Sequence, residues 1–133
     1  MAHEHDVMLV EDDLESRDAL AAVLEAYGFG VREAVDGQDA LDQLHAGVHP
    51  CAILLDLMMP RMDGWQFREV QRADPELSEI PVALLTAAGN VRLQARRLGV
   101  DVAFQKPVNL DALLGFIERH CRDGGGNSPP KPR

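Results

Sequence analysis

Apolar residues in this chain come in five short runs, and the stretches between them repeat apolar residues every three or four positions. The runs are VMLV (7–10), FGVREAV (29–35), CAILL (51–55), IPVALL (80–85) and VDVAF (100–104). Three of them are nearly continuous rather than alternating, the pattern of strands covered on both faces. In the first interval Leu20, Val23, Leu24 and Tyr27 fall at i, i+3, i+4 and i+7, and Gly28 follows as a stop. Ala40, Leu41 and Leu44 form a shorter stripe ending at Gly47, and Phe67 and Val70 sit in a third helix closed by Asp74 and Pro75. Val91, Ala95 and Leu98 belong to a fourth helix ended by Gly99, and Leu110, Leu113, Leu114 and Ile117 to a fifth. Strict alternation of strand and helix predicts a parallel sheet with helices on both faces, a single α/β domain of the doubly wound (βα)5 type.

The 133 residues suffice for about one domain that buries roughly two-thirds of its unfolded surface. No apolar stretch approaches the ~20 residues needed to span a membrane. The start, MAHEHD, lacks the basic and apolar regions of a signal peptide. Residues 1–5 are expected to be disordered, although His3 and His5 have the spacing of a metal pair. The segment DGGGNSPPKPR (123–133) reads as a flexible tail or linker, which leaves 6–122 as the domain. A net charge of -9 argues against general binding to nucleic acid or anionic lipid. Two cysteines, Cys51 and Cys121, are too few for a disulfide scaffold, and Cys51 opens a strand. Both are expected to be reduced packing residues in a cytoplasmic protein.

The stretch CAILLDLMMPRMDG (51–64) drives an aspartate to the end of an apolar run. A buried carboxylate is costly unless it is paired or bound to a cation, so Asp56 is either a solvated loop start or the centre of a site. In an open α/β sheet the ligand crevice lies beyond the carboxyl ends of the strands. Those ends carry Glu11, Asp12 and Asp13 after the first strand, Asp56 after the third, Thr86 after the fourth and Lys106 after the fifth. Clustered carboxylates repel one another, and a hard cation such as Mg2+ with oxygen ligands relieves that repulsion. Lys106 is one of only two lysines among thirteen basic residues, and it would add a compact positive charge for a phosphoryl group. Nucleophile, metal and charge stabilisation are the requirements of phosphoryl transfer to a carboxylate.

VEDD (10–13), LLDLMMPRMDG (54–64), LLTA (84–87) and Lys106-Pro107 together resemble a response regulator receiver domain of two-component signalling, over roughly residues 6–121. The resemblance implies a flavodoxin-like strand order 2-1-3-4-5. It also implies a phosphorylation-activated switch in a two-component system or phosphorelay, which accepts a phosphoryl group on Asp56 from phosphohistidine. The donor would be a sensor histidine kinase or a histidine phosphotransfer protein. Carried over by position, Asp12 and Asp56 would ligate Mg2+ (with Mn2+ as a substitute), Glu11 would act through a water, and Met58 would offer its backbone carbonyl. Thr86 would donate to the phosphoryl group, Ala87 would leave room for it, and Lys106 would pair with a phosphoryl oxygen. Pro60 and Gly64 would shape the loop after Asp56, and Pro107, whose preceding bond is often cis in the family, would aim Lys106. Such a domain is not an enzyme, although it assists its own phosphorylation and dephosphorylation. It would be a monomer or weak dimer with a downstream protein target, and it would contact neither nucleic acid nor membrane directly.

Plainer readings stand beside these. Asp13 suits a helix N-cap better than a ligand, and Trp65 and Phe67 suit core or half-core. Arg92, Arg96 and Arg97 form a basic face on the fourth helix, solvated by default, although the family docks partners nearby. A pseudo-receiver that never turns over phosphate would be expected to lose an acidic ligand, Thr86 or Lys106. A haloacid dehalogenase-type phosphatase wants a second aspartate where Met58 stands, and a dinucleotide-binding domain wants a Gly-rich loop after the first strand. Met58 and Ala88 occupy positions whose side chains help place the attacking water in the family, and neither can hydrogen-bond, which implies a long-lived aspartyl phosphate. The family's switch aromatic is replaced by Ala103, with Phe104 as its neighbour. Phe104 must point to the opposite face, so it is expected to be permanent core while Ala103 leaves a gap beside Thr86. Activation would then fall to the loop TAAGN (86–90).

Overall fold

The computed structural model describes residues 6–100 and 102–121. The expectations for residues 1–5, for His3 and His5 and for the tail from 123 onward lie outside them. Ten elements follow in strict alternation: β1 (Asp6–Val10), α1 (Leu14–Ala26), β2 (Gly30–Ala34), α2 (Gly37–His45) and β3 (Ala52–Asp56), then α3 (Gly64–Ala73), β4 (Val82–Thr86), α4 (Val91–Leu98), β5 (Val102–Gln105) and α5 (Leu110–Cys121). The sheet order is β2-β1-β3-β4-β5 with every pairing parallel, the flavodoxin-like arrangement. Alternate side chains along each strand serve opposite faces. Val7, Leu9, Leu54 and Leu85 pack under α1 and α5, while Met8, Val10, Ile53, Leu55 and Leu84 pack under α2, α3 and α4. Burying each such side chain contributes about 1.5–3 kcal/mol relative to leaving it in water. β3 and β4 are buried along their whole length, which explains why their apolar runs are continuous.

Helix boundaries follow local chemistry. Asp13 is the N-cap of α1, accepting from the Ser16 N–H at 2.9 Å, as its position suggested. Asp63 and Gln66 close a reciprocal capping box at the start of α3. Gly99 ends α4 at φ 76°. The apolar stripes of α2, α4 and α5 face inward as expected, but α3 departs from its pattern. Phe67 is fully buried, yet Val70 is 39% exposed and its place is taken by Gln71. The Gln71 amide donates to the Leu77 and Ile80 carbonyls at 2.9 and 3.1 Å, so a polar residue holds the α3–β4 connection from inside. Trp65 is also largely outside the core, at 36% exposure.

The cysteine expectation is overturned. Cys51 and Cys121 form a disulfide, with Cα atoms 5.0 Å apart and a sequence separation of 70. The reason is tertiary: α5 packs across β1 and β3 on its face of the sheet, and that placement brings its last residue to the foot of β3. Cys121 is part of the core as anticipated, but it is also a crosslink.

Candidate functional site

The end of β1 delivers two functional groups to the crevice, and the ends of β3, β4 and β5 one each. Asp56 is the last residue of β3 and Thr86 the last of β4, one position earlier than the apolar runs alone suggested. Both are held at the mouth of the core, Asp56 at 8% exposure and Thr86 at 2%. Glu11 is buried just past β1, and Asp12 beside it is exposed. Carboxylate oxygens of Glu11, Asp12 and Asp56 all lie within 4.8 Å of one another. Lys106, one residue past β5, places its ammonium 2.6 Å from Glu11 Oε1 and 3.6 Å from Asp56 Oδ1. The Thr86 hydroxyl accepts the Ala88 N–H at 3.1 Å, leaving its own proton free to donate.

The loop leaving Asp56 is folded back by its ends. Leu57 N–H donates to Asp56 Oδ1 at 2.9 Å. Gly64 N–H donates to the Leu57 carbonyl at 2.9 Å, and a Cβ on Gly64 would sit 2.8 Å from the Asp56 carbonyl oxygen. Only glycine permits that closure. Pro60 is exposed within this loop, and the Met58 side chain is 70% exposed, so no packing constrains the residue type there. The Lys106–Pro107 peptide is cis. Ala87 follows Thr86 on the exposed rim.

Electrostatics follow from this crowding. Burial pushes the Asp56 carboxyl up to about 6, the Glu11 charge adds to the rise, and Lys106 and the Leu57 N–H oppose it. For Lys106, burial on its own would favour the neutral amine. The Glu11 hydrogen bond and the Asp56 and Glu11 charges outweigh it, and its pKa is raised overall. Asp13 is solvent-facing, its carboxyl lowered first by its hydrogen bonds from Ser16, and it stands outside the carboxylate cluster. Three convergent carboxylates with hard oxygen donors fit a small divalent cation such as Mg2+.

One contributor escaped the sequence. Arg17 of α1 is buried, and it donates to the Glu11 carbonyl at 2.7 Å and to Glu33 at 3.0 Å. It fixes the backbone that carries Glu11 and Asp12. Its signal was available: position 17 lies on the same helical face as the buried Ala21 and Leu24, an unusual seat for a charge. The substituted switch position behaves partly as expected. Ala103 and Phe104 do point to opposite faces. Ala103 lines a cavity of about 330 Å3 with Val91, Ala95, Val100 and Val102, between α4 and β5. Thr86 does not line this cavity. Phe104 is half-buried rather than full core, set edge-on to Phe116 at 6.4 Å between ring centres.

Comparison with known proteins agrees with this geometry. Protein PilG of Pseudomonas aeruginosa is 33% identical over 116 residues, covering 86% of this chain and 85% of that protein. The DNA-binding dual master transcriptional regulator RpaA of Synechocystis is 33% identical over 118 residues, covering 87% of this chain and 48% of that protein. The chain spans about half the length of most of the curated relatives it matches. Among solved structures, the receiver domain of a sensor histidine kinase from P. aeruginosa PAO1, with a magnesium ion coordinated in its active site cleft, superposes with a TM-score of 0.79. It is 25% identical and covers 90% of this chain and 98% of that one. The family model for the response regulator receiver domain matches residues 7–118, and the chain belongs to that family, the receiver domains of two-component signalling.

Proposed function

We propose that the chain is a phosphorylation-activated switch in which Asp56 takes a phosphoryl group from a phosphohistidine on a sensor kinase or phosphotransfer protein. The observation that carries this reading is the convergence of Asp56, Glu11, Asp12, Thr86 and Lys106 at one edge of the sheet. The nitrogen–phosphorus bond of the donor breaks as an Asp56 oxygen bonds to phosphorus, and the imidazole leaves. A carboxyl that titrates near 6 is mostly ionised at neutral pH, so the nucleophile is available. Glu11, Asp12, Asp56 and the Met58 carbonyl would hold Mg2+, or Mn2+ in its place, which when bound neutralises the carboxylates and the incoming phosphoryl oxygens. Lys106 would exchange part of its pairing with Glu11 for a phosphoryl oxygen. Thr86 would donate its free hydroxyl proton across the opening left by Ala87. Pro60, Gly64 and the cis Pro107 set the loops that aim these groups.

An apolar groove of about 630 Å3 borders Lys106, lined by Leu20, Val23, Pro107, Val108 and Leu110, and supports docking of the donor's helix beside the site. The net charge of -9 disfavours direct nucleic acid binding, and among the described residues no helix is long and apolar enough to cross a membrane. We place the domain in the cytoplasm with its kinase, as a monomer or weak dimer that signals to a downstream protein. The domain assists its own phosphorylation and dephosphorylation without being an enzyme. Met58 and Ala88 offer no side-chain hydrogen bond to an attacking water, which favours a long-lived aspartyl phosphate. A pseudo-receiver is disfavoured because Glu11, Asp12, Thr86 and Lys106 all occupy the crevice.

The test is incubation with acetyl phosphate and Mg2+, followed by mass spectrometry. One added phosphoryl group is expected in the wild type, none in Asp56→Asn and none with chelator. Phosphorylation of Asp56→Asn, or uptake indifferent to chelator, would overturn the reading.

A further inference from the structure

The loop that follows Asp56 is anchored at its far side by a residue pair outside the crevice. Asp36 is 1% exposed, and it caps α2 by accepting the Asp39 N–H at 2.8 Å. Its other oxygen is gripped by the guanidinium of Arg61, through both Nε and a terminal nitrogen. Arg61 lies midway along the loop with its backbone in the left-handed region, at φ 63°. That conformation favours glycine, and a non-glycine residue keeps it only where its surroundings over-determine it. Next to this pair, the Gly37 N–H donates to the Met62 carbonyl at 3.0 Å. A Cβ on Gly37 would meet Met62 Cγ at 2.7 Å, so the start of α2 is pressed against the loop. The other nearby carboxylate, Asp39, is engaged by the Val35 N–H at 2.9 Å. The guanidinium therefore engages the carboxylate that is buried and already capping α2 rather than the one nearer to solvent.

We propose that Arg61 is a positioning residue for the phosphoacceptor loop: clamped to Asp36, it holds residues 57–63 in the shape that presents the Met58 carbonyl to the metal. The clamp acts through the backbone, and neither side chain touches the reacting atoms. A charge-assisted contact from two guanidinium nitrogens to a buried carboxylate is directional even though Arg61 itself is largely exposed, and it adds a polar anchor at position 61 to the apolar contacts that Leu57, Met59 and Met62 make with the core. The part of the inference that concerns the metal rests on the function proposed above; the ordering of the loop does not.

Arg61→Gly separates the two roles open to the side chain, because glycine relieves the left-handed backbone while deleting the clamp. In metal-free protein, amide exchange at Gly37 and Gly64 should quicken about tenfold or more in Arg61→Gly and in Arg61→Ala, with core amides unchanged. Mg2+ binding, read by the fluorescence of Trp65, the only tryptophan, should weaken by roughly three- to tenfold in both, with Arg61→Lys between them and the wild type. Asp36→Asn, which retains a capping side chain, should weaken it comparably, and adding Arg61→Ala to it should bring no further loss. Unchanged exchange in Arg61→Gly, or additive losses in the double variant, would overturn the clamp. Loosened amides in a protein whose wild type shows no saturable Mg2+ response would sustain the clamp and overturn the metal reading instead.

Discussion

The two edges of the sheet are built on opposite principles. At the amino edge, the foot of β3 and the end of α5 are joined by a covalent bond between Cys51 and Cys121, and the Cys51 N–H donates to the Asp6 carbonyl at 2.9 Å. Both of these contacts tie segments distant in sequence to each other. At the carboxyl edge, three carboxylates face one another around a single ammonium, and burial holds the Asp56 carboxyl near 6. The fold carries that electrostatic cost in the metal-free state, and a ligand of positive charge relieves it. Stability and reactivity are thus segregated to opposite ends of the same strands.

The largest effect should come from the amino edge. Replacing both cysteines by serine should lower unfolding free energy by about 4 kcal/mol, given 70 residues of separation. Urea titration without reductant measures it. The Mg2+ affinity should stay put, and a several-fold change would show that the two edges are coupled after all.

Asp56→Asn should have the opposite sign. The folded carboxyl titrates near 6 against an ordinary 3.8, so the native state binds more protons than the unfolded chain between those values. Stability therefore falls as pH rises from about 4 to 6 and stays reduced above it. Removing the charge should stabilise the metal-free protein by on the order of 2 kcal/mol at pH 7.5, with the gain fading toward pH 4. Paired urea titrations across that range check it, and a pH-independent gain would mean that burial of Asp56 is not its cause.

Mg2+ at five times its dissociation constant should add roughly 1 kcal/mol to the wild type. Asp12→Ala should remove most of that response, and an equal thermal shift in both proteins would locate the ion elsewhere. The smallest effect concerns how far the site's charge state travels. With Ala103 in place of a bulky ring, a phosphoryl mimic should alter hydrogen exchange mainly across residues 86–90. β5 amides should stay within about threefold of their unliganded rates. A large change in β5 accompanied by movement of Phe104 would show that this chain has a relay of another kind.

Much of this was legible in one dimension. The alternation of strand and helix, the order of Glu11, Asp56, Thr86 and Lys106 at successive strand ends, and the N-cap at Asp13 are local or periodic features. Apolar patterning and the polarity of parallel strands force them to one crevice. Val70 and Gln71 could not be assigned this way, because adjacent positions on a short helix compete for one inward place and the α3–β4 connection decides which wins. Arg17 was masked by its charge, although its helical phase was inward.

By itself, the sequence determined which residues can stand at the carboxyl edge, since the period of a strand and the direction of its chain are set by the backbone. Only the tertiary structure decided which partners those residues meet. Cys51 and Cys121 are bonded because α5 lies across β3. Asp36 meets Arg61 because the start of α2 abuts the loop after β3. Lys106 stands closer to Glu11 than to Asp56 although β5 lies nearer to β3 than to β1 in the sheet, so its long side chain reaches across the crevice. Contacts between segments distant in sequence depend on how the layers stack, and no periodicity along the chain encodes that.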